Sequence, residues 1–252
     1  MPVFQLTDAI KFPPPELAEP DGLLAFGGDL RPERLRAAYA QGIFPWPHRG
    51  YPLVWFSPDP RMVLPTAELH VARRLERALR QGRFEVRLDS AFPSVIRHCA
   101  AAKRKGQRGT WITRAMIDAY TALHAQGYAH CAEAWHDGAL VGGLYGVSIG
   151  RVFTAESMFT AVPNAAKAAL VGLVRQLDRW GIDLFDAQVY TEHVATFGAT
   201  LWPRDRFLAA LREALAEPAR YPTRRGKWAL EDAAYGSRHS GTHGSSAPAS
   251  SA

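Results

Sequence analysis

Apolar residues recur with helical spacing in several separate segments of the 252-residue chain. The spacing predicts a helix from Pro32 to Gln41, another from Pro65 to about Gln81, and a third that begins near Ser90. A fourth helix is predicted from Arg114 to Gly127, where the glycine is placed to end it.

Strand-like alternation appears first in the segment RFEVRLD, where Phe84, Val86 and Leu88 share one face. Three consecutive strands follow the fourth helix, with the sequences AHCAEAWH, ALVGGLYGVSI and RVFTAES. Tight-turn sequences join them at His136-Asp137-Gly138 and at Ser148-Ile149-Gly150, which predicts an antiparallel meander.

The last third of the globular sequence returns to alternating helices and strands. Asn164 is placed to cap a long helix from Ala165 to Trp180, and the apolar strand IDLFDAQV comes next. A short helix near His193 and a last helix from Arg204 to Ala216 complete the pattern. This order predicts a mixed α+β fold around a central, mostly antiparallel sheet.

Composition divides the chain into three parts. Residues 1–62 are rich in proline, glycine and aromatics and indicate a small, loop-rich N-terminal domain, whereas residues 63–217 carry the helix and strand pattern of a catalytic domain. Residues 218–252 form a C-terminal extension that we expect to be disordered from about residue 236, where serine, glycine and alanine dominate. Neither a secretory signal nor a long apolar run is present, so we expect a soluble, cytoplasmic protein.

The formal net charge of +6 favours an acidic partner, and its distribution suggests where that partner binds. Two clusters of basic residues could follow a phosphate backbone, or they could be ordinary solvated surface. The first cluster is Arg73, Arg74, Arg77 and Arg80, at helical spacing, and the second is Lys103, Arg104, Lys105 and Arg108.

Polar residues at the ends of two apolar strands are the candidates for chemistry. Asp186 and Gln188 are two positions apart and should project from the same face, either into a ligand crevice or simply toward solvent. Glu156 follows the strand RVFTA and could bind an ammonium group or cap a neighbouring backbone amide.

Apolar and aromatic residues near these positions are candidates for substrate contact, although core packing is the default for each. Trp46 and Trp111, together with Trp55, are the aromatic side chains suited to stack on a nucleic acid base. The apolar candidates for a pocket are Leu144, Phe153, Met158, Leu170 and Phe185. The isolated cysteines Cys99 and Cys131 suggest neither a disulfide nor a metal site.

Several ordered motifs give the chain a specific resemblance. The motifs are Gly22-Leu23-Leu24, Gly27-Gly28-Asp29-Leu30, Gly42-Ile43-Phe44-Pro45-Trp46, Trp55-Phe56-Ser57-Pro58-Asp59-Pro60-Arg61, Gly109-Thr110-Trp111-Ile112-Thr113, Leu140 to Gly146, Glu156-Ser157-Met158-Phe159, Asn164-Ala165-Ala166-Lys167, Asp186-Ala187-Gln188-Val189 and His193. With these motifs in this order, the sequence resembles the leucyl/phenylalanyl-tRNA-protein transferase family over about residues 5 to 215.

The resemblance implies a GNAT-like acyltransferase domain behind a small N-terminal domain, acting as a monomer. It implies transfer of leucine or phenylalanine, and methionine less well, from aminoacyl-tRNA to proteins that begin with arginine or lysine, which marks them for N-degron proteolysis. Asp186 and Gln188 would lie at the reacting centre, with Asp186 polarising Gln188 or a water. Glu156 would bind an ammonium or acceptor side chain, and Trp46 and Trp111 would flank the terminal adenosine.

Two features of the sequence bear on alternatives to that activity. The segment TAVPNAAKAAL, before the long helix, lacks the glycines that hold the pyrophosphate of coenzyme A, so we expect no coenzyme A. The resemblance implies an aminoacyl ester that is already activated, so we expect no other cofactor or metal. A small-molecule N-acyltransferase and a non-catalytic RNA-binding module remain the rival hypotheses. Members of the family often have two adjacent tryptophans where this chain has Trp55-Phe56.

Overall fold

The computed structural model of the chain describes residues 3–47, 50–102, 110–216 and 228–231. Its strands are β1 (Phe4–Leu6), β2 (Leu23–Gly27), β3 (Phe44–Pro45), β4 (Val54–Phe56), β5 (Arg61–Pro65), β6 (Glu85–Leu88), β7 (Ala129–His136), β8 (Ala139–Ile149), β9 (Val152–Thr160), β10 (Leu184–Gln188) and β11 (Thr200–Trp202). Its α-helices are α1 (Pro32–Tyr39), α2 (Arg73–Arg80), α3 (Phe92–Ala101), α4 (Arg114–Ala125), α5 (Ala165–Arg179), α6 (Glu192–Ala195) and α7 (Arg204–Ala216).

The strands form two sheets. A four-stranded sheet has the order β1-β2-β4-β3, and a seven-stranded sheet has the order β11-β5-β10-β9-β8-β7-β6. Every neighbouring pair in the larger sheet is antiparallel except β9 and β10, which run parallel on either side of the crossover through α5. The predicted α+β architecture with a mostly antiparallel central sheet is confirmed.

The two faces of the larger sheet bury different partners because side chains alternate along each strand. On β7, Ala129 and Cys131 join a core with the N-terminal sheet, α3 and α4. Ala132 and Ala134 join a second core that is built largely from α5. The N-terminal region therefore packs on the face opposite α5, and the predicted boundary at residue 62 falls within β5, a strand of the larger sheet.

The meander is confirmed, but two local predictions were wrong. The helix predicted from Pro65 is a 3-10 turn followed by an extended segment, and α2 begins only at Arg73. The His70 N–H donates to the Phe197 carbonyl at 2.9 Å and is therefore not available to a helix that starts at Pro65. Asn164 adopts a left-handed backbone with φ of 71°, and its side chain makes no capping bond to α5. No helix among the described residues is long and apolar enough to cross a bilayer.

Part of the C-terminal extension packs into the core around α5. The Trp228 ring is 3% exposed and stacks on His130 with a centroid distance of 3.7 Å, and its backbone N–H donates to Asp89 Oδ2 at 2.8 Å. Farther along, Glu231 accepts a hydrogen bond from Trp180 Nε1. The tail from residue 236 lies outside the described residues, so its predicted disorder stays a prediction.

We expect Trp228→Ala to lower the free energy of unfolding by about 3 to 5 kcal/mol, because it deletes a buried aromatic side chain from that core. Urea unfolding measures the loss, with Tyr51→Ala as the matched control because the Tyr51 side chain is 75% exposed. The two variants losing equal stability would contradict a packed role for Trp228.

Candidate active site

The central strands of the larger sheet separate at one end and leave an opening. β9 and β10 pair only over three residues, from Leu184 opposite Val152 to Asp186 opposite Thr154. β9 then continues to Thr160, whereas β10 ends at Gln188. A pocket of about 680 Å³ occupies the opening, a volume within the usual range for small-molecule sites.

The pocket wall is mostly apolar with a few polar groups. It is formed by the separated ends of β9 and β10, the start of α5, α6 and two tryptophans from loops. The lining residues are Trp46, Ala102, Trp111, Leu144, Ala155, Glu156, Ser157, Met158, Phe159, Thr160, Ala166, Phe185, Ala187, Gln188, Val189, Thr191, His193 and Val194.

Five of the predicted aromatic and apolar contacts line this pocket: Trp46, Trp111, Leu144, Met158 and Phe185. The other three do not line it. Phe153 and Leu170 are completely buried in the core behind the pocket, and Trp55 is completely buried in the core with the N-terminal sheet, where its Nε1 donates to the Gly27 carbonyl. The Phe153 ring stacks on Phe185 with a centroid distance of 5.7 Å, so it supports the wall from behind.

Glu156 is the buried carboxyl of the pocket, and three side chains donate hydrogen bonds to it. Gln188 Nε2 and the Tyr39 hydroxyl reach Oε1 at 2.6 and 2.7 Å, and the Tyr120 hydroxyl reaches Oε2 at 3.2 Å. The two tyrosine hydroxyls also contact each other, and because each carries one proton, all three contacts are hydrogen bonds only when Glu156 is protonated and donates one of them. The alternative that Glu156 caps a backbone amide is not what the structure shows.

Burial dominates the electrostatics of Glu156. Removal from water raises its pKa to about 7, and the nearby charge of Asp186 adds to the effect against the opposing hydrogen bonds from Tyr39, Gln188 and Tyr120. A carboxyl group with this pKa is poised to ionise when a cation enters the pocket. Elsewhere in the wall, burial and the charge of Lys167 lower the pKa of His193, which favours a neutral imidazole.

Asp186 does not line the pocket. Its carboxylate is fully buried and receives both ends of the Arg61 guanidinium, with Nε to Oδ1 at 2.8 Å and Nη2 to Oδ2 at 2.7 Å. The Thr154 hydroxyl donates to Oδ2 at 3.1 Å. Such a paired carboxylate is suited to holding neighbouring groups in place.

The backbone between Asp186 and Gln188 departs from regular strand geometry. The pairing with β5 shifts register there, and Gln188 has a φ of 64°, a left-handed conformation that is unfavourable for a residue with a side chain. The Gln188 backbone N–H donates to Asp186 Oδ1 at 2.9 Å. The expected shared projection of the two side chains is therefore replaced by a bulge that sends Gln188 alone to the pocket.

Only one of the two basic clusters lies among the described residues. Arg73, Arg74, Arg77 and Arg80 are exposed on α2, and Arg80 pairs with Glu76. The second cluster, Lys103, Arg104, Lys105 and Arg108, lies outside the described residues.

Sequence reasoning missed three residues of the site: Tyr39, Tyr120 and Arg61. Each tyrosine occupies an apolar position of its helix and carries no sequence signal beyond that of a core residue. Arg61 was recognised only as part of a motif, and its charge gave no indication that it would be buried.

A further group of metal-binding residue types, Asp89, His124 and His130, lies outside the pocket. Hydrogen bonds account for the group: His130 Nδ1 bonds to Asp89 Oδ2 at 2.7 Å, and His124 Nδ1 bonds to the Ala129 carbonyl at 2.7 Å.

Comparison with known proteins identifies the family of the chain that forms this pocket. A family model described as leucyl/phenylalanyl-tRNA protein transferase matches residues 63–212, and a model of its N-terminal domain matches residues 28–59. The chain belongs to this family.

Named relatives cover almost the whole chain. A leucyl/phenylalanyl-tRNA-protein transferase of Myxococcus xanthus is 54% identical over 230 residues, which are 90% of this chain and 97% of the relative. That of Anaeromyxobacter sp. strain K is 55% identical, covering 91% and 97%, and that of Nitratidesulfovibrio vulgaris strain DP4 is 54% identical, covering 88% and 94%. The family resemblance seen in the sequence is thereby confirmed.

Proposed function

We propose that this chain transfers leucine or phenylalanine, and methionine less well, from aminoacyl-tRNA to the N-terminal arginine or lysine of acceptor proteins. The product carries a new peptide bond and is marked for N-degron proteolysis. Family membership supports the reaction. The structural observation that carries it is the buried carboxyl of Glu156, held by Gln188 in the wall of an otherwise apolar pocket.

The apolar part of the pocket suits the donor. Leu144, Met158 and Phe185 present hydrocarbon and a thioether to a leucine or phenylalanine side chain, which loses water on entry. Trp46 and Trp111 line the same pocket and suit the terminal adenosine, since a base stacked on an aromatic ring gains about 1 to 3 kcal/mol.

Glu156 suits the acceptor. An N-terminal arginine or lysine brings positive charge, and a cation close to a carboxyl group lowers its pKa and favours the ionised form. An acceptor with a neutral N-terminal side chain would not lower that pKa and would lose the charge-assisted hydrogen bond. This difference gives selectivity for basic N-termini.

The chemical step is aminolysis of an activated ester. The free α-amino group of the acceptor attacks the carbonyl carbon of the aminoacyl ester, the C–N bond forms, the bond to the ribose oxygen breaks, and the proton lost by the amine balances the one gained by that oxygen. Because the ester is already activated, holding the two substrates together supplies much of the rate. The reaction requires no ATP, coenzyme A, metal or covalent enzyme intermediate.

Gln188 and Asp186 have different roles in positioning the reacting groups. The Gln188 amide lines the pocket and orients Glu156 and the reacting groups, because a neutral amide is a poor base. Asp186 acts through Gln188 by holding its backbone N–H. We therefore assign Asp186 a positioning role and not that of a base in contact with substrate.

The exposed arginines of α2 suit the phosphate backbone of the tRNA. A triple variant in which glutamine replaces Arg73, Arg74 and Arg77 should bind tRNA more weakly. The logarithm of its binding constant should also fall less steeply with the logarithm of the salt concentration, because each lost phosphate contact reduces counterion release. Filter binding at several salt concentrations tests this, and Arg212→Gln on the exposed face of α7 is the control. A slope equal to that of the unmodified protein would contradict contact between α2 and the tRNA.

We further propose a cytoplasmic monomer, since its substrates are charged tRNA and the free N-termini of proteins.

The proposed function is tested by transfer of labelled leucine from leucyl-tRNA to a peptide that begins with arginine. We expect transfer that needs no coenzyme A and that falls sharply when the peptide begins with alanine. Transfer only from leucyl-coenzyme A would support the small-molecule acyltransferase, and tRNA binding without transfer would support the RNA-binding module.

A further inference from the structure

Arg61 is a buried charged residue next to the pocket for which neither the reaction nor the lining of the pocket supplies a role. It is 1% exposed and does not line the pocket. Its guanidinium lies over the rings of Phe44, at 4.9 Å, and Phe207, at 4.7 Å, so its plane is fixed by packing. A guanidinium held in this way presents its donors in fixed directions.

One set of these donors leads to Gln188. Two guanidinium nitrogens bind the two oxygens of Asp186, and Oδ1 of that carboxylate accepts the backbone N–H of Gln188. The hydrogen bond stabilises the left-handed conformation of Gln188, whose side chain then reaches Glu156 at 2.6 Å.

The third guanidinium nitrogen, Nη1, connects Arg61 to Tyr39 through the backbone of Gly42. Arg61 Nη1 donates to the Gly42 carbonyl at 3.1 Å, and Gly42 ends the turn that follows α1. The Gly42 N–H donates in turn to the carbonyl of Tyr39, whose hydroxyl reaches Glu156 at 2.7 Å. The same guanidinium thus contacts the supports of both side chains that bind Glu156 Oε1.

We propose that Arg61 is a positioning residue for acceptor recognition, which sets the Tyr39 and Gln188 donors around Glu156 from opposite sides of the site. This inference rests on the proposed function and adds a determinant of acceptor binding that never touches the substrate. The hydrogen bonds of Arg61 described above reach Asp186 and Gly42 and none of the residues proposed to hold the donor, so donor binding should be unaffected. The donor residues are Leu144, Met158, Phe185, Trp46 and Trp111.

Arg61→Lys is the variant that tests the proposal, because lysine keeps the positive charge beside Asp186 and replaces the rigid fork by one flexible ammonium. We expect the KM for an arginine-initiated peptide to rise about tenfold and kcat to fall, with the KM for leucyl-tRNA within about twofold. A purely structural effect would lower the amount of active protein and leave both KM values unchanged. An unchanged peptide KM would overturn the proposal.

Hydrogen exchange supplies a second measurement that does not depend on activity. In Arg61→Lys, the backbone amide of Gln188 should exchange at least about tenfold faster, since its acceptor is no longer fixed. Arg34→Lys is the matched control, because Arg34 is also fully buried and binds the carbonyls of Thr7, Asp8 and Ala9. The control should leave exchange at Gln188 and the peptide KM unchanged.

The two measurements separate failure of this inference from failure of the proposed function. If the unmodified protein transfers no leucine, the proposed function fails, and exchange at Gln188 still decides whether Arg61 positions the site. If transfer is normal and exchange at Gln188 is the same in Arg61→Lys and Arg34→Lys, the assignment to Arg61 is overturned while the proposed function stands.

Discussion

Asp186→Asn should lower the free energy of unfolding by about 3 to 5 kcal/mol and reduce transfer by about 100-fold. The loss of stability follows because Arg61 keeps its charge in a buried site while its carboxylate partner is gone. The loss of transfer follows because Gln188 is displaced, and an error of about 1 Å in a reacting geometry costs on the order of 100-fold in rate. Urea unfolding and the leucine transfer assay measure the two effects.

Two further variants separate the effects on stability and activity. Asp29→Asn is the control for stability, because Asp29 also pairs with a buried arginine, Arg34, but its side chain is 33% exposed. We expect Asp29→Asn to lower the free energy of unfolding by about 1 kcal/mol or less and to leave leucine transfer normal. The double substitution Arg61→Met with Asp186→Leu should restore stability but not transfer. Full transfer by Asp186→Asn or by the double variant would contradict the positioning role of Asp186.

Glu156→Gln should change both the selectivity and the pH dependence of the protein. The amide keeps the shape of the side chain but cannot become negative, so kcat/KM for an arginine-initiated peptide should fall by about 10- to 100-fold, equivalent to one charge-assisted hydrogen bond. Glu133→Gln is the matched control, because Glu133 is a fully buried carboxyl of the same sheet. Its partners are Ser90, Ala91, Cys131 and Trp135, none of which lines the pocket.

The raised pKa of Glu156 also predicts how the free energy of unfolding changes with pH. Its pKa is about 7 in the folded protein and 4.5 for an unperturbed glutamate, so between these pH values the folded state retains a proton that the unfolded state releases. The resulting stabilisation is complete below about pH 4.5 and is lost as the pH rises to 7, with a magnitude on the order of 3 kcal/mol. As the pH rises from 4.5 to 7, the urea midpoint of the unmodified protein should therefore fall relative to that of Glu156→Gln. Parallel midpoint curves for the two proteins would contradict the raised pKa.

The sequence predicted the elements of the fold better than the details of the site. Periodicity found the meander, α5 and the limits of α7 because these segments bury long, regular apolar faces. It misplaced the start of α2 because the backbone N–H of His70 bonds to the carbonyl of Phe197, far away in sequence, instead of joining a helix. Local spacing contains no information about such a partner.

The same limitation applies to the site. Regular alternation predicted that Asp186 and Gln188 would point the same way, but a bulge separates their roles. The pocket candidates were mostly found, since apolar residues near the end of β9 and β10 line the opening between those strands. Arg61 and Tyr39 were not, because they reach the site from the N-terminal third of the chain and only the fold brings them there.

The packing of Trp228 against His130 has a consequence for biosynthesis. The core around α5 draws one of its aromatic side chains from residue 228 of a 252-residue chain. A nascent protein can form β7, α5 and β10 earlier, but it cannot complete that core until Trp228 has been synthesised and has left the ribosome. The core is therefore completed only after every helix and strand that precedes this tryptophan has been translated, and chains cut short before Trp228 should be preferred targets of cellular proteolysis.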